Sequence, residues 1–150
     1  LSNESDTSSV IEAQNSDKVY PTGTIVSNVI STISGSNQPD TLIVSSSLHQ
    51  DKRVMGVYFD NMWSGDDEQT ERKNYHNIAS IGDGVVLVNN QNGNIENGDY
   101  ITTASGSGGY GCKQNDDLLH NYTVAKSLED VDWSTEVSSS KLIACTYHCG

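Results

Sequence analysis

The stretch Asn92-Gly93-Asn94-Ile95-Glu96-Asn97-Gly98-Asp99-Tyr100-Ile101-Thr102-Thr103 decides the fold class. Its two Asn-Gly pairs supply the positive φ values that tight hairpin turns require, so the chain folds back sharply on either side of Asn94-Ile95-Glu96. The run Tyr100 to Thr103 then reads as a short strand. Outward from it, further short β-branched runs are separated by turn residues: Thr24 to Ile33, Thr41 to Ser46, Arg53 to Phe59, Gly84 to Asn89, Asn121 to Ser127 and Lys141 to Tyr147. A long apolar 3.6 period is missing, so little helix is expected and the class is all-β.

Comparison of the two halves adds an organisational expectation. Tyr20-Pro21-Thr22-Gly23-Thr24-Ile25-Val26 is followed by Arg53-Val54-Met55-Gly56-Val57, and Ile95-Glu96-Asn97-Gly98-Asp99-Tyr100-Ile101 by Tyr122-Thr123-Val124-Ala125-Lys126. Each half reads as a glycine turn, a strand, an excursion and a second strand interrupted by a small residue, Gly56 or Ala125. Two such β units packed together would bury both apolar faces in one small barrel or clip. The small residues are expected where another backbone approaches closely. Residues 20–150 form the single β domain of this reading. Residues 1–19 form an extended N-terminal arm whose low apolar content would not offset its ordering entropy without a neighbouring chain or an upstream domain. Ser64 to about His76 reads as a polar insertion, a protruding loop or short exposed helix.

Composition excludes several roles. The 150 residues carry 8 Lys+Arg against 20 Asp+Glu, a formal net charge of -12. Such a surface repels phosphates and anionic lipid, which argues against nucleic-acid partners and a membrane-surface role. No apolar run reaches the length of a membrane span, so no membrane insertion is expected. The chain starts at Leu1, as expected of a processed product or a fragment of something longer.

The segment Gly93 to Thr103, the glycine cluster Gly108-Gly109-Tyr110-Gly111-Cys112-Lys113 and Thr123-Val124-Ala125-Lys126-Ser127-Leu128 together resemble the C-terminal regions of phage and algal-virus tail-fibre or appendage proteins. Those regions are similar to the self-cleaving intramolecular-chaperone type, a G2 peptidase-like domain. The match covers about Tyr20 to Gly150, and its specific part is Gly84 to Leu128. A residue-by-residue match to that family's cleavage centre is missing. The resemblance therefore implies first a virion structural protein, located in the virion or extracellularly, that self-associates as a homotrimer or fibre. At most it implies a single-turnover autoprotease.

Searching for chemistry directly yields few constellations. Carboxylate-assisted self-cleavage before Leu1 would use Glu4 or Asp6. Cys145, His148 and Cys149 are the nearest approach to a metal site, but in a strand Cys145 and Cys149 face one side and His148 the other. Buried or free thiols and a disulfide are the competing readings, and no cofactor is expected. A Gly-x-Ser-x-Gly nucleophile elbow and a phosphate-binding loop are both missing. Recognition of a host-surface glycan is the alternative function, with Trp63, Tyr110 and Trp133 as stacking candidates. The terminal apolar residues Val10, Ile11, Leu142 and Ile143 are the candidate interface.

Overall fold

The computed structural model describes residues 8–12, 20–33, 35, 37, 39–59 and 75–149. Ten strands appear among them: β1 (Ser8–Glu12), β2 (Ile25–Ile33), β3 (Pro39–Ser45), β4 (Val54–Phe59), β5 (Tyr75–Ala79), β6 (Ile81–Asn89), β7 (Tyr100–Thr103), β8 (Gly111–Lys113), β9 (Thr123–Ser127) and β10 (Ser140–His148), with one 3-10 turn at Trp133–Thr135. The domain is all-β and is built from two sheets. One has the order β1-β5-β4-β2-β3, and every neighbouring pair in it is antiparallel. In the other, β6 pairs with β10, β10 with β9, β9 with β7 and β7 with β8, again antiparallel. A single parallel pair, Val88 with Gly111, links β8 to β6.

Written from its own first strand, the second sheet runs β6-β10-β9-β7-β8, the counterpart, strand for strand, of β1-β5-β4-β2-β3. Equivalent hydrogen bonds pin the two. The Gly23 amide donates to the Tyr58 carbonyl (2.8 Å) and the Tyr58 amide to the Thr24 carbonyl (2.7 Å); the Gly98 amide donates to Ser127 (2.8 Å) and the Ser127 amide to Asp99 (2.8 Å). Val26 lies opposite Gly56 and Ile101 opposite Ala125, each followed at once by a register shift. A Cβ on Gly56 would run into the Ala79 carbonyl oxygen, so a close backbone approach does require the glycine there.

Three strands were not announced by the sequence, β1, β5 and β8. Ser8–Glu12, within the segment expected as an extended arm, pairs its backbone with β5 of the same chain, Val10 opposite Asn77 and Ile11 opposite His76. The polar excursion ends at Tyr75, where β5 begins, since Ile78 and Ala79 supply two core side chains that its charged preceding residues hid from a pattern search. Gly111–Lys113 is a strand that no β-branched run announced, because pairing with β7 supplies what its propensity does not.

Packing follows the two-residue period of the strands. Ile25, Val57 and Ala79 join Val86, Val88, Ile95, Ile101, Val124, Ala125, Val131, Ile143, Cys145 and Tyr147 in the larger core. Their immediate neighbours Val26, Tyr58 and Ile78 point the other way, into a smaller core with Tyr20 and Ile43. The first sheet is thus apolar on both faces, one of them packed on the second unit.

Candidate functional site

An open groove of about 470 Å³ lies beside the segment that opened the sequence reading. Ile95 and Val131 make a two-way backbone bridge (3.0 and 2.7 Å) and are buried, which clamps the Asn92–Asp99 turns against the chain after β9. Asn94, Glu96, Asn97, Asp130 and Asp132 line the groove around that bridge. Much of this polarity is already engaged. Asp130 accepts from the Asn97 amide (2.8 Å), Asp99 from the Glu96 amide (2.8 Å), and Asp132 from the Ser134 hydroxyl (2.7 Å) and amide (3.1 Å). Those bonds from Ser134 hold the Asp132 carboxyl below its usual pKa. The groove is therefore anionic, able to accept hydrogen bonds from hydroxyls and unsuited to phosphate.

Trp133 stands at the edge of this segment, half-buried against the larger core. Its indole N–H donates to the Gly93 carbonyl (2.9 Å) and its amide to Asn94 Oδ1 (3.0 Å). It fastens the turn to the core, next in sequence to the groove residue Asp132. Tyr110 is half-buried on the glycine loop, its carbonyl accepting from Ala104 (2.9 Å). Trp63, Glu4 and Asp6 lie outside the described residues.

The thiols are core groups. Cys112 and Cys145 are buried, Cys149 is partly so, and all three are free. Burial pushes Cys112 and Cys149 up to about 12 and raises Cys145 as well, so thiolate is scarce at neutral pH. His148 bonds Thr146 Oγ1 (3.1 Å) and packs edge-on to Tyr100 (5.8 Å). Burial, with Lys126 nearby, lowers its pKa. Among the described residues, no three His, Cys, Asp or Glu side chains gather as a metal centre.

Leu142 and Ile143 separate across β10. Leu142 is 44% exposed, whereas Ile143 is 1% exposed and sits in the larger core, which removes it from any surface between chains. The alternation of a strand decides this, since adjacent residues cannot share a face.

Two polar clusters escaped the sequence reading. Asp51, 5% exposed, accepts from Ser27 Oγ (2.9 Å) and from the Arg53 amide (2.9 Å), and holds the Arg53 guanidinium at 2.9 and 3.0 Å. Its own amide donates to Thr103 Oγ1 in the second unit (2.8 Å). Burial alone would raise this carboxyl, but the bonds from Arg53 and Ser27 outweigh it and leave the pKa lowered. Nearby, the Gly109 amide donates to Ser46 (3.1 Å) and its carbonyl accepts from Ile25 (2.8 Å); a Cβ there would strike Thr24 and the Ile25 carbonyl. This is the seam between the units. The second cluster is His120, whose Nε2 lies 3.0 Å from both Asp116 carboxylate oxygens while its ring stacks on Tyr122 (4.6 Å). Only the close spacing Asp51-Lys52-Arg53 and Asp116…His120 could have flagged either.

A scan against protein-family models finds no match, and a search of curated proteins finds none either.

Proposed function

We propose that this chain is a structural domain of a virion fibre or appendage, in which two similar β units form a small barrel or clip that drives assembly and surface presentation. The observation that carries the reading is the joint placement of the three sequence segments that resemble appendage proteins. Gly93 to Thr103, Gly108 to Lys113 and Thr123 to Leu128 make β7, β8 and β9, hydrogen-bonded side by side in one continuous piece. In this reading the protein self-associates, as a homotrimer or a fibre, and is found in the virion or outside the cell. Light scattering coupled to size exclusion tests it: a closed assembly is expected, and a monomer of 16.2 kDa at all concentrations would overturn it.

A second reading, recognition of a host-surface glycan, is favoured by the groove of Asn94, Glu96, Asn97, Asp130 and Asp132 beside Trp133. Carboxylates and amides next to an aromatic face suit sugar hydroxyls and a sugar ring. Binding to a glycan array that falls at least tenfold on Glu96→Ala would support it. Trp133→Ala is the poorer probe, because that ring also holds the turn. No binding by the wild-type chain would dismiss it.

A further inference from the structure

Beyond the strand β4, the β2 side of the β2–β3 hairpin continues without a neighbouring strand among the described residues, while β1 lies close to β3 on the other side. β4 pairs only with Ile25, Val26 and Ser27 of β2, while β2 and β3 stay paired as far as Ile33 and Pro39. Among the described residues, no strand pairs with the outer edge of Val29 to Ile33. A strand edge left unpaired presents backbone N–H and C=O groups that another strand can take up. Between Val29 and Thr32 the register shifts, so that Ile30 and Ser31 stand opposite Thr41 alone. The bulge coincides with Ile30 being 87% exposed, and Ile33 is 74% exposed.

Charge identifies the occupant. Between Lys18 and Asp51 the one formally charged residue is Asp40, in a chain whose net charge is -12. Two copies of such a chain repel each other over most of their surface, and a basic partner would be drawn to that acidic surface rather than to this ribbon. The ribbon carries a single carboxylate, Asp40 opposite Thr32, so like chains meet there with few opposing charges, and its two exposed isoleucines give them apolar area to bury. We infer that the Val29–Ile33 edge of the β2–β3 ribbon is a self-association surface, occupied by the same ribbon of a second copy of this chain. The inference rests on the assembly reading above and names the surface that carries it.

The test compares the native mass of the full chain with that of the double variant Ile30→Asp, Ile33→Asp and of the control Val137→Asp, a fully exposed apolar residue remote in sequence from the ribbon. The expected result is an assembled wild type and control, with the double variant at 16.2 kDa and an unchanged circular dichroism spectrum. An assembled double variant would overturn the ribbon while leaving the assembly reading intact; a monomeric wild type would overturn the assembly reading itself. Dissociation of the control as well would also remove the ribbon's special role. Salt gives an independent readout that needs no variant. Screening weakens repulsion between acidic copies, so raising NaCl from about 50 to about 500 mM should increase the assembled fraction. A decrease would mean an ion-paired interface and would overturn the inference. Hydrogen exchange closes the remaining gap should the variant misfold: the amides of Ile30 to Ile33 should be protected at high protein concentration and lose at least tenfold of that protection on dilution, and unchanged exchange would sink the proposal.

Discussion

The first unit, β1 to β5, and the second, β6 to β10, share a strand order but are buried by different means. In the second, the strands face a core to which it contributes ten of the thirteen buried residues, from Val86 to Tyr147. In the first, strands β2, β4 and β5 divide their side chains between that core and a smaller one of five residues. The first unit therefore depends on the second for one of its two apolar faces, and the second does not depend on it to the same degree. The unpaired β2 edge belongs to the dependent unit, where, among the described residues, β3 lies close to β1 without a paired residue, while the equivalent strand of the other, β8, is tied to β6 by Val88 and Gly111. Duplicated topology does not imply duplicated stability: what each sheet packs against decides it.

The largest test of that asymmetry is truncation in the two cores. Ile101→Ala in the larger core should cost about 4 kcal/mol, and Ile43→Ala in the smaller about 2 to 3 kcal/mol, read from urea midpoints at constant slope. Equal costs would mean that the cores are one cooperative body with no preference. Next come the equivalent small residues. Gly56→Ala drives a methyl into the Ala79 carbonyl and should destabilise by about 2 to 3 kcal/mol, whereas Ala125→Gly removes a buried methyl and should cost about 1 to 1.5 kcal/mol. A tolerated Gly56→Ala would show that the strands can spread.

The seam should matter somewhat less. Asp51→Ala removes bonds from Arg53 and Ser27, and since Arg53 is half exposed the expected loss is about 1.5 to 2 kcal/mol. Because the folded carboxyl has the lower pKa, this contribution is complete above the unfolded value of about 3.9 and disappears as the pH falls through the folded one. The stability difference between wild type and Asp51→Ala should therefore narrow in acid, and a constant difference from pH 7 to pH 2 would assign it to packing. Smallest is the effect of thiol chemistry. With Cys112 at about 12, iodoacetamide at pH 8 should modify the folded chain at Cys112 at least about 100-fold more slowly than the chain in urea. Rapid labelling would reveal opening of the second unit.

Much of this architecture was legible in the residues. Asn92-Gly93 and Asn97-Gly98 carry a turn chemistry that depends only on local sterics, and seven β-branched runs announced seven of the ten strands. The Gly23/Gly56 and Gly98/Ala125 correspondence marked equivalent places: Gly23 and Gly98 donate to Tyr58 and Ser127, and Gly56 and Ala125 lie opposite Val26 and Ile101. Strand β8 was hidden because Gly111-Cys112-Lys113 has no strand propensity of its own, and β1 because Val10 and Ile11 are too few to look like a sheet member. Of the groove, the sequence offered Trp133 but not its neighbours Asp130 and Asp132, whose approach to Asn94 and Asn97 joins residues more than thirty positions apart.

By itself, the sequence determined the all-β class, the turns and the acidic surface, because backbone sterics and net charge act residue by residue. Which face each strand buries was decided by the tertiary structure. Leu142 and Ile143 are equally apolar on paper, yet one is half exposed and the other lies in the core, since the partner that covers a face comes from elsewhere in the chain. The buried Asp51 is the same lesson for a charged group: its carboxylate is tolerated because Arg53 and the distant Ser27 donate to it, while its amide reaches Thr103 across the seam.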